Sequence, residues 1–178
     1  GAGIMGCATA LWLARRGDRV TLIDAADQPF TGASRWNEGK IHLGYLYAAD
    51  PSLDTARRIL PGGLAFKPLT ESLIGCALDE AIAHHDDTFV VHRDSVVSAA
   101  AAERYYAAVT ALVTSHDAAA RYLVPVCAAQ ARRLSPAELS ADYDPAHIVA
   151  GFRVPERSVS TPWVADRFVA AIAAEARV

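Results

Sequence analysis

The chain has 178 residues, of which 52% are hydrophobic and 21% charged, and its 17 Lys+Arg against 20 Asp+Glu leave a formal charge of -3. That balance is globular and gives no electrostatic reason for a nucleic-acid or anionic-membrane partner, so a small molecule is the expected one. No run reaches the ~20 apolar residues of a membrane-spanning helix, and the three scattered cysteines, Cys7, Cys76 and Cys127, form neither a metal-spaced pair nor a disulfide framework, which fits a reducing cytoplasm.

The chain opens GAGIMGCATALWLARRGDRVTLID, which reads as turn, helix to Arg16, stop at Gly17, and strand Val20 to Ile23 ending on Asp24. Gly1 permits a tight turn, Gly3 lets backbone approach a pyrophosphate, and Gly6 lets helix and strand pack closely. Amides at the helix start, around Ile4 and Met5, then face phosphate at the positive end of the helix dipole. Ile4, Ala8, Leu11 and the stem of Arg15 are expected on one face. Asp24 lies close to the ~20 positions past the glycine turn where a carboxylate accepts ribose hydroxyls, and it would repel a 2'-phosphate. FAD or NAD is therefore favoured over NADP. Such a turn normally follows a strand, so the sequence is expected to lack its first strand and true N-terminus.

That opening alone suits NAD-dependent 3-hydroxyacyl-CoA and 3-hydroxyisobutyrate dehydrogenases as well as flavoproteins. The continuation TGASRWNEGKIHLGYLY, residues 31 to 47, separates them, because Pro29, Gly32, Ser34, Asn37 and Gly39 are turn and loop residues where the NAD enzymes enter another helix. Gly32, Ala33, Ser34, Asn37, Gly39, Lys40 and Ile41 resemble the FAD-dependent D-amino-acid-oxidase-like (DAO) superfamily. The resemblance implies that Ala33 and Ser34 lie against the pyrophosphate and that Gly39, Lys40 and Ile41 approach the isoalloxazine ring. The order Asn37, Gly39, Ile41, His42, Gly44, Tyr45, Tyr47 is most similar to the L-2-hydroxyglutarate and glycerol-3-phosphate dehydrogenase types. Some dimethylglycine-type members attach flavin covalently through a nearby histidine.

Two readings stand for each polar side chain of this loop. His42 is either the base that removes a substrate hydroxyl proton, a task suited to a group of pKa near ~6.5, or a structural histidine hydrogen-bonded inside a sheet. Lys40 either stabilises reduced flavin or contributes only backbone, with its ammonium in solvent. A strand would point both to one face. Tyr45 and Tyr47 read as strand packing.

Further along, Ser52 to Leu60 reads as a short helix broken by Pro61 and the glycines after it. Arg57 and Arg58 read as its solvated face. Thr88 to His92 is a strand flanked by turns, and the adjacent His84, His85, Asp86 and Asp87 diverge too much for a metal site. Ala99 to Leu123 reads as one helix with Tyr106, Val109, Leu112 and Val113 on a common face. A short helix begins near Pro136, Ile148 to Val154 is a second strand, and Thr161 caps a helix that has Pro162 in its first turn and runs to about Ala176.

The expected fold is α/β: a truncated Rossmann-like FAD-binding domain with part of an α+β substrate domain. Residues 1–80 would be the FAD-binding part, 81–155 a partial substrate domain, and 156–178 the return helix. The expected activity is hydride transfer from a small hydroxy-acid, polyol-phosphate or amino-acid-like substrate to flavin N5, with an unassigned electron acceptor and no metal. An NAD-dependent dehydrogenase of the 3-hydroxyacyl-CoA or 3-hydroxyisobutyrate type is one alternative, and a non-catalytic incomplete fragment is the other. The piece in isolation is expected to be inactive.

Overall fold

The computed structural model describes residues 1–178, a mixture of helices and short strands. The chain divides into two compact units. The first holds Gly1–Gly39, Lys67–Ala83 and Ser158–Val178; the second holds Lys40–Phe66 and His84–Arg157.

In the first unit, α1 (Ile4–Arg15) buries Cys7, Ala10, Leu11 and Ala14. This stripe differs from the expected one: Ile4 and Ala8 are only half-buried. Small side chains let α1 pack on α5 (Thr161–Ala174), and the Arg15 guanidinium turns outward to the carbonyls of Ser72 and Leu73. α5 buries Val164, Ala165 and Phe168, and Phe168 stacks on Phe30 with ring centroids 5.6 Å apart. Its N-cap is Ser160, one residue before the expected Thr161. The Thr161 hydroxyl is instead drawn to a tertiary acceptor, donating to the Arg35 carbonyl at 2.7 Å. The helix ends at Ala174.

Val20 to Ile23 does not form the expected strand. A strand needs a neighbour to complete its ladder, and here Val20 alone is held, its N–H donating to the Arg177 carbonyl at 2.8 Å.

The second unit is built on a three-stranded antiparallel sheet of order β2-β4-β3, with β2 at Asp87–His92, β3 at Arg132–Arg133 and β4 at Ile148–Val154. Phe89 pairs with Phe152 across β2 and β4. That face packs on α3 (Ala99–Thr114), where Tyr106 meets Phe152 edge-on at 5.1 Å and Phe89 at 6.1 Å. α3 is capped by Ser98 and stops at Ser115 instead of reaching Leu123. The break follows from local polar groups: His116 Nδ1 accepts the Ala118 N–H, and a separate 3-10 turn at Ala119–Arg121 leads into buried Tyr122 and Leu123. α4 (Pro136–Asp142) begins on a capping box formed by Ser135 and Glu138. β1 (Lys40–Ile41) pairs with β5 (Arg157–Ser158). Tyr45–Tyr47, expected as strand packing, is a 3-10 turn with Tyr45 buried.

The largest departure is α2, a single helix over Asp54–Ile74 that passes through Pro61, Gly62 and Gly63. Its residues to Phe66 belong to the second unit. Ala56, Leu60 and Leu64 are buried there, while Pro61 and Gly62 face solvent. Packing of the apolar stripe thus outweighs the breakers. Gly63 has a tertiary reason: a Cβ would overlap the His42 carbonyl oxygen and stand 3.2 Å from Leu43 Cδ2. In an ordinary helix interior Gly→Ala gains ~1 kcal/mol. Here we expect Gly63→Ala to lose about 1–3 kcal/mol by overpacking, whereas Gly62→Ala, with nothing within 4 Å of its Cβ, should gain stability. Thermal denaturation of the pair checks this, and a stabilised Gly63→Ala would refute the contact.

Candidate functional site

Within the first unit the glycine turn and the loop after Asp24 enclose a cavity of about 220 Å³, lined by Ala2, Gly3, Asp24 and the run Phe30 to Ser34. The Ile4 N–H donates to Ser34 Oγ at 3.1 Å, and a Cβ on Gly3 would stand 2.8 Å from the same hydroxyl. The Met5 and Gly6 amides, also in the first turn of α1, have no acceptor in the chain. Asp24 accepts the Ala2 N–H at 2.6 Å and the Ala26 N–H at 2.9 Å. The Ala2 bond, with that of Ala26, holds its carboxyl below the ordinary aspartate range. An ionised acceptor, Asp24, therefore stands in the cavity wall together with Gly3 of the glycine turn and the Ser34 hydroxyl. Ala33 lines the cavity wall. Asn37 braces the loop beyond it: its amide donates to the Ala33 carbonyl at 2.7 Å and its oxygen accepts the Gly39 N–H at 2.7 Å.

Within the second unit, β1 and the turn after it present Lys40, Ile41 and His42. His42 Nδ1 lies 3.2 Å from Glu156 Oε2. Glu156 is completely buried. Its other oxygen accepts three successive backbone N–H groups, from Leu43 at 2.5 Å, Gly44 at 3.1 Å and Tyr45 at 3.3 Å. The buried carboxyl group thus has four hydrogen-bond partners, three of them backbone N–H groups. The hydrogen bond that Nδ1–H donates to Glu156 raises the His42 pKa above 6.5 against the opposing effect of burial, and Lys40 and Asp87 add smaller contributions of opposite sign. With Nδ1 on Glu156, Nε2 is the ring nitrogen left to exchange a proton.

The loop is tied down by Tyr122, whose hydroxyl donates to the Ile41 carbonyl at 2.6 Å and accepts the Arg157 N–H at 2.9 Å. Arg157 Nε in turn donates to Asp86 at 3.0 Å. Lys40 is not a solvated ammonium: its Nζ is 3.4 Å from Asp87 Oδ2 and 5.2 Å from the Phe89 ring centroid. The sequence does not announce Glu156 or Tyr122, and it presents Asp87 only as one of four adjacent metal-ligand types. Nothing in VPERS or RYLVP marks the first two locally, because their roles depend on partners 114 and 81 positions away in the chain, and the Lys40 partner of Asp87 lies 47 positions away. His84 and His85 are exposed.

The family model for FAD dependent oxidoreductases, DAO, matches residues 1–178. The chain belongs to that family. No curated protein and no solved structure matches it. FAD is the family's cofactor, and the first-unit cavity fits a flavin nucleotide by its chemistry: a wall of small residues, Gly3, Gly32, Ala33 and Ser34, at the start of α1 for phosphates, and an ionised aspartate, Asp24, for hydroxyls. No helix is long and apolar enough to cross a membrane.

Proposed function

We propose that the protein carrying residues 1–178 is an FAD-dependent dehydrogenase or oxidase that takes a hydride from a small hydroxy-acid, polyol-phosphate or amino-acid-like substrate. The first unit, on this reading, is the Rossmann-like nucleotide-binding part, with Gly1, Gly3, Ile4, Met5, Gly6, Ala33 and Ser34 around the pyrophosphate and Asp24 on the ribose. Asn37, Gly39, Lys40 and Ile41 carry the chain along the flavin. Bound FAD supplies the hydride-accepting atom. The chain supplies the proton acceptor: His42, neutral, takes the substrate proton at Nε2 while Glu156 fixes Nδ1–H and stabilises the imidazolium that results.

The observation that carries the reading is the His42–Glu156 pair, since a buried carboxylate with all its acceptor capacity spent on one loop and one imidazole is costly for packing alone. Purified protein should take up FAD, and anaerobic mixing with the right substrate should bleach the flavin absorbance. His42→Asn should keep the flavin and lose bleaching by about 10²- to 10⁴-fold. Protein that takes up no FAD would overturn the cofactor assignment, and an unimpaired His42→Asn would overturn the base.

A further inference from the structure

The proposed function leaves hydroxy and amino substrates open, and a second pair beside His42 decides between them. Lys40 and His42 flank Ile41, and the carboxylate on each is different: Glu156 for His42, Asp87 for Lys40. The two pairs are joined by backbone, the Asp87 N–H donating to the Glu156 carbonyl at 2.9 Å. They differ in how well they are satisfied. Glu156 has four donors, whereas Asp87 Oδ2 is buried without a hydrogen bond, and the Lys40 ammonium, its side chain 29% exposed, makes none either. At 3.4 Å the pair is in electrostatic contact only. A buried carboxylate oxygen with no donor is the kind of group that needs an explanation.

We infer that the gap between Lys40 and Asp87 is a subsite for a substrate hydroxyl. A hydroxyl both donates and accepts, so one oxygen satisfies Asp87 Oδ2 by its proton and Lys40 Nζ by its lone pair. An ammonium only donates and faces Lys40 with like charge. A carboxylate or phosphate only accepts and faces Asp87 with like charge. Seating the oxygen moves the ammonium outward by roughly 1 Å, given ~2.8 Å bonds to each side, which the flexible lysine stem permits. Phe89 forms an apolar wall under the ammonium. Asp87 and Lys40 are thus specificity residues of the His42 site, and the substrate class is an alcohol in preference to an amino compound carried as its ammonium ion. This rests on the proposed function for its site, not for its chemistry.

The test compares matched ligands on the purified protein: lactate with alanine, malate with aspartate, and 2-hydroxyglutarate with glutamate. Binding is read by isothermal titration calorimetry, which serves the wild type and both variants alike, and the same pairs are then tried for flavin bleaching in the FAD-loaded protein. The hydroxy member of at least one pair should bind at least tenfold more tightly. Asp87→Asn and Lys40→Met should each erase most of that preference, about ten- to hundredfold for a hydrogen bond to a charged group, and Asp87→Asn should do so with FAD content unchanged. Amino members binding as well as hydroxy members, or a preference that survives both variants, would overturn the subsite, as would a water retained between the two groups at saturating ligand. Hydroxy-selective binding without any bleaching would keep the subsite and reject the oxidation.

Discussion

Glu156→Gln should lower kcat/KM by on the order of 10²–10³-fold while the protein stays folded and loaded with FAD. The amide oxygen still accepts the N–H groups of Leu43, Gly44 and Tyr45, but the amide nitrogen now faces His42 Nδ1 as a donor. The imidazole is thereby pushed into the opposite tautomer, with Nε2 protonated and unable to accept. The pH profile separates positioning from plain damage. The carboxylate raises the His42 pKa above 6.5, with Lys40 opposing and Asp87 assisting. Wild-type activity should therefore rise with pH through an ionisation above 6.5, as the imidazolium loses its proton. In Glu156→Gln that ionisation should move down, under a lower plateau. An unchanged profile at reduced rate would remove Glu156 from the proton-transfer machinery.

The same linkage acts on stability. His42 has a folded-state pKa above its unfolded value, so its charged pair with Glu156 contributes fully below pH ~6.5 and is lost as pH rises through the folded pKa. Wild-type stability should fall over that window and the Gln variant should show a flatter curve. Glu156→Ala is a harsher change. It leaves three buried N–H groups without an acceptor and should cost about 3–5 kcal/mol.

What the sequence displays is what depends on near neighbours. Ile148–Val154 is legible as a strand because β-branched and aromatic residues suffice to specify it, and α4 is legible because Ser135, Pro136 and Glu138 cap it locally. Val20 to Ile23 has the same β-rich character, but its state is set by whether another strand lies beside it. α2 fails in the opposite direction: Pro61, Gly62 and Gly63 are local breakers, and the burial of Leu60 and Leu64 overrides them. The site divides likewise. Glycines and Asp24 announce a nucleotide turn, and His42 announces a titratable group in a glycine-rich loop. Glu156 announces nothing, because a glutamate after a strand is ordinarily solvated, and its burial is made possible by donors more than a hundred residues upstream.

Gly39→Ala distinguishes two reasons for a glycine in that loop. The sequence reading assigns Gly39 to the flavin, as a place where backbone comes close to the ring. The structure supplies an internal reason. Gly39 has φ +66°, a Cβ there would overlap the Val159 carbonyl oxygen, and Thr161 Cγ2 would stand 3.1 Å away. The approach is held by the Val159 N–H, which donates to the Gly39 carbonyl at 3.0 Å. Left-handed backbone costs an alanine roughly 1–2 kcal/mol, and displacing a backbone carbonyl adds to it, so a total loss of about 2–4 kcal/mol is expected. In a domain of this size that lowers Tm by roughly 5–15 °C. Gly17→Ala is the control, since Gly17 also has positive φ, +103°, but open space around its Cβ; it should lose only the backbone strain. If Gly39→Ala matches Gly17→Ala in stability yet loses FAD, the glycine serves cofactor approach alone. If it unfolds the apoprotein at lower temperature before FAD enters the comparison, Gly39 is first a joint of the fold, and the flavin contact proposed for it would follow from where that joint puts the chain.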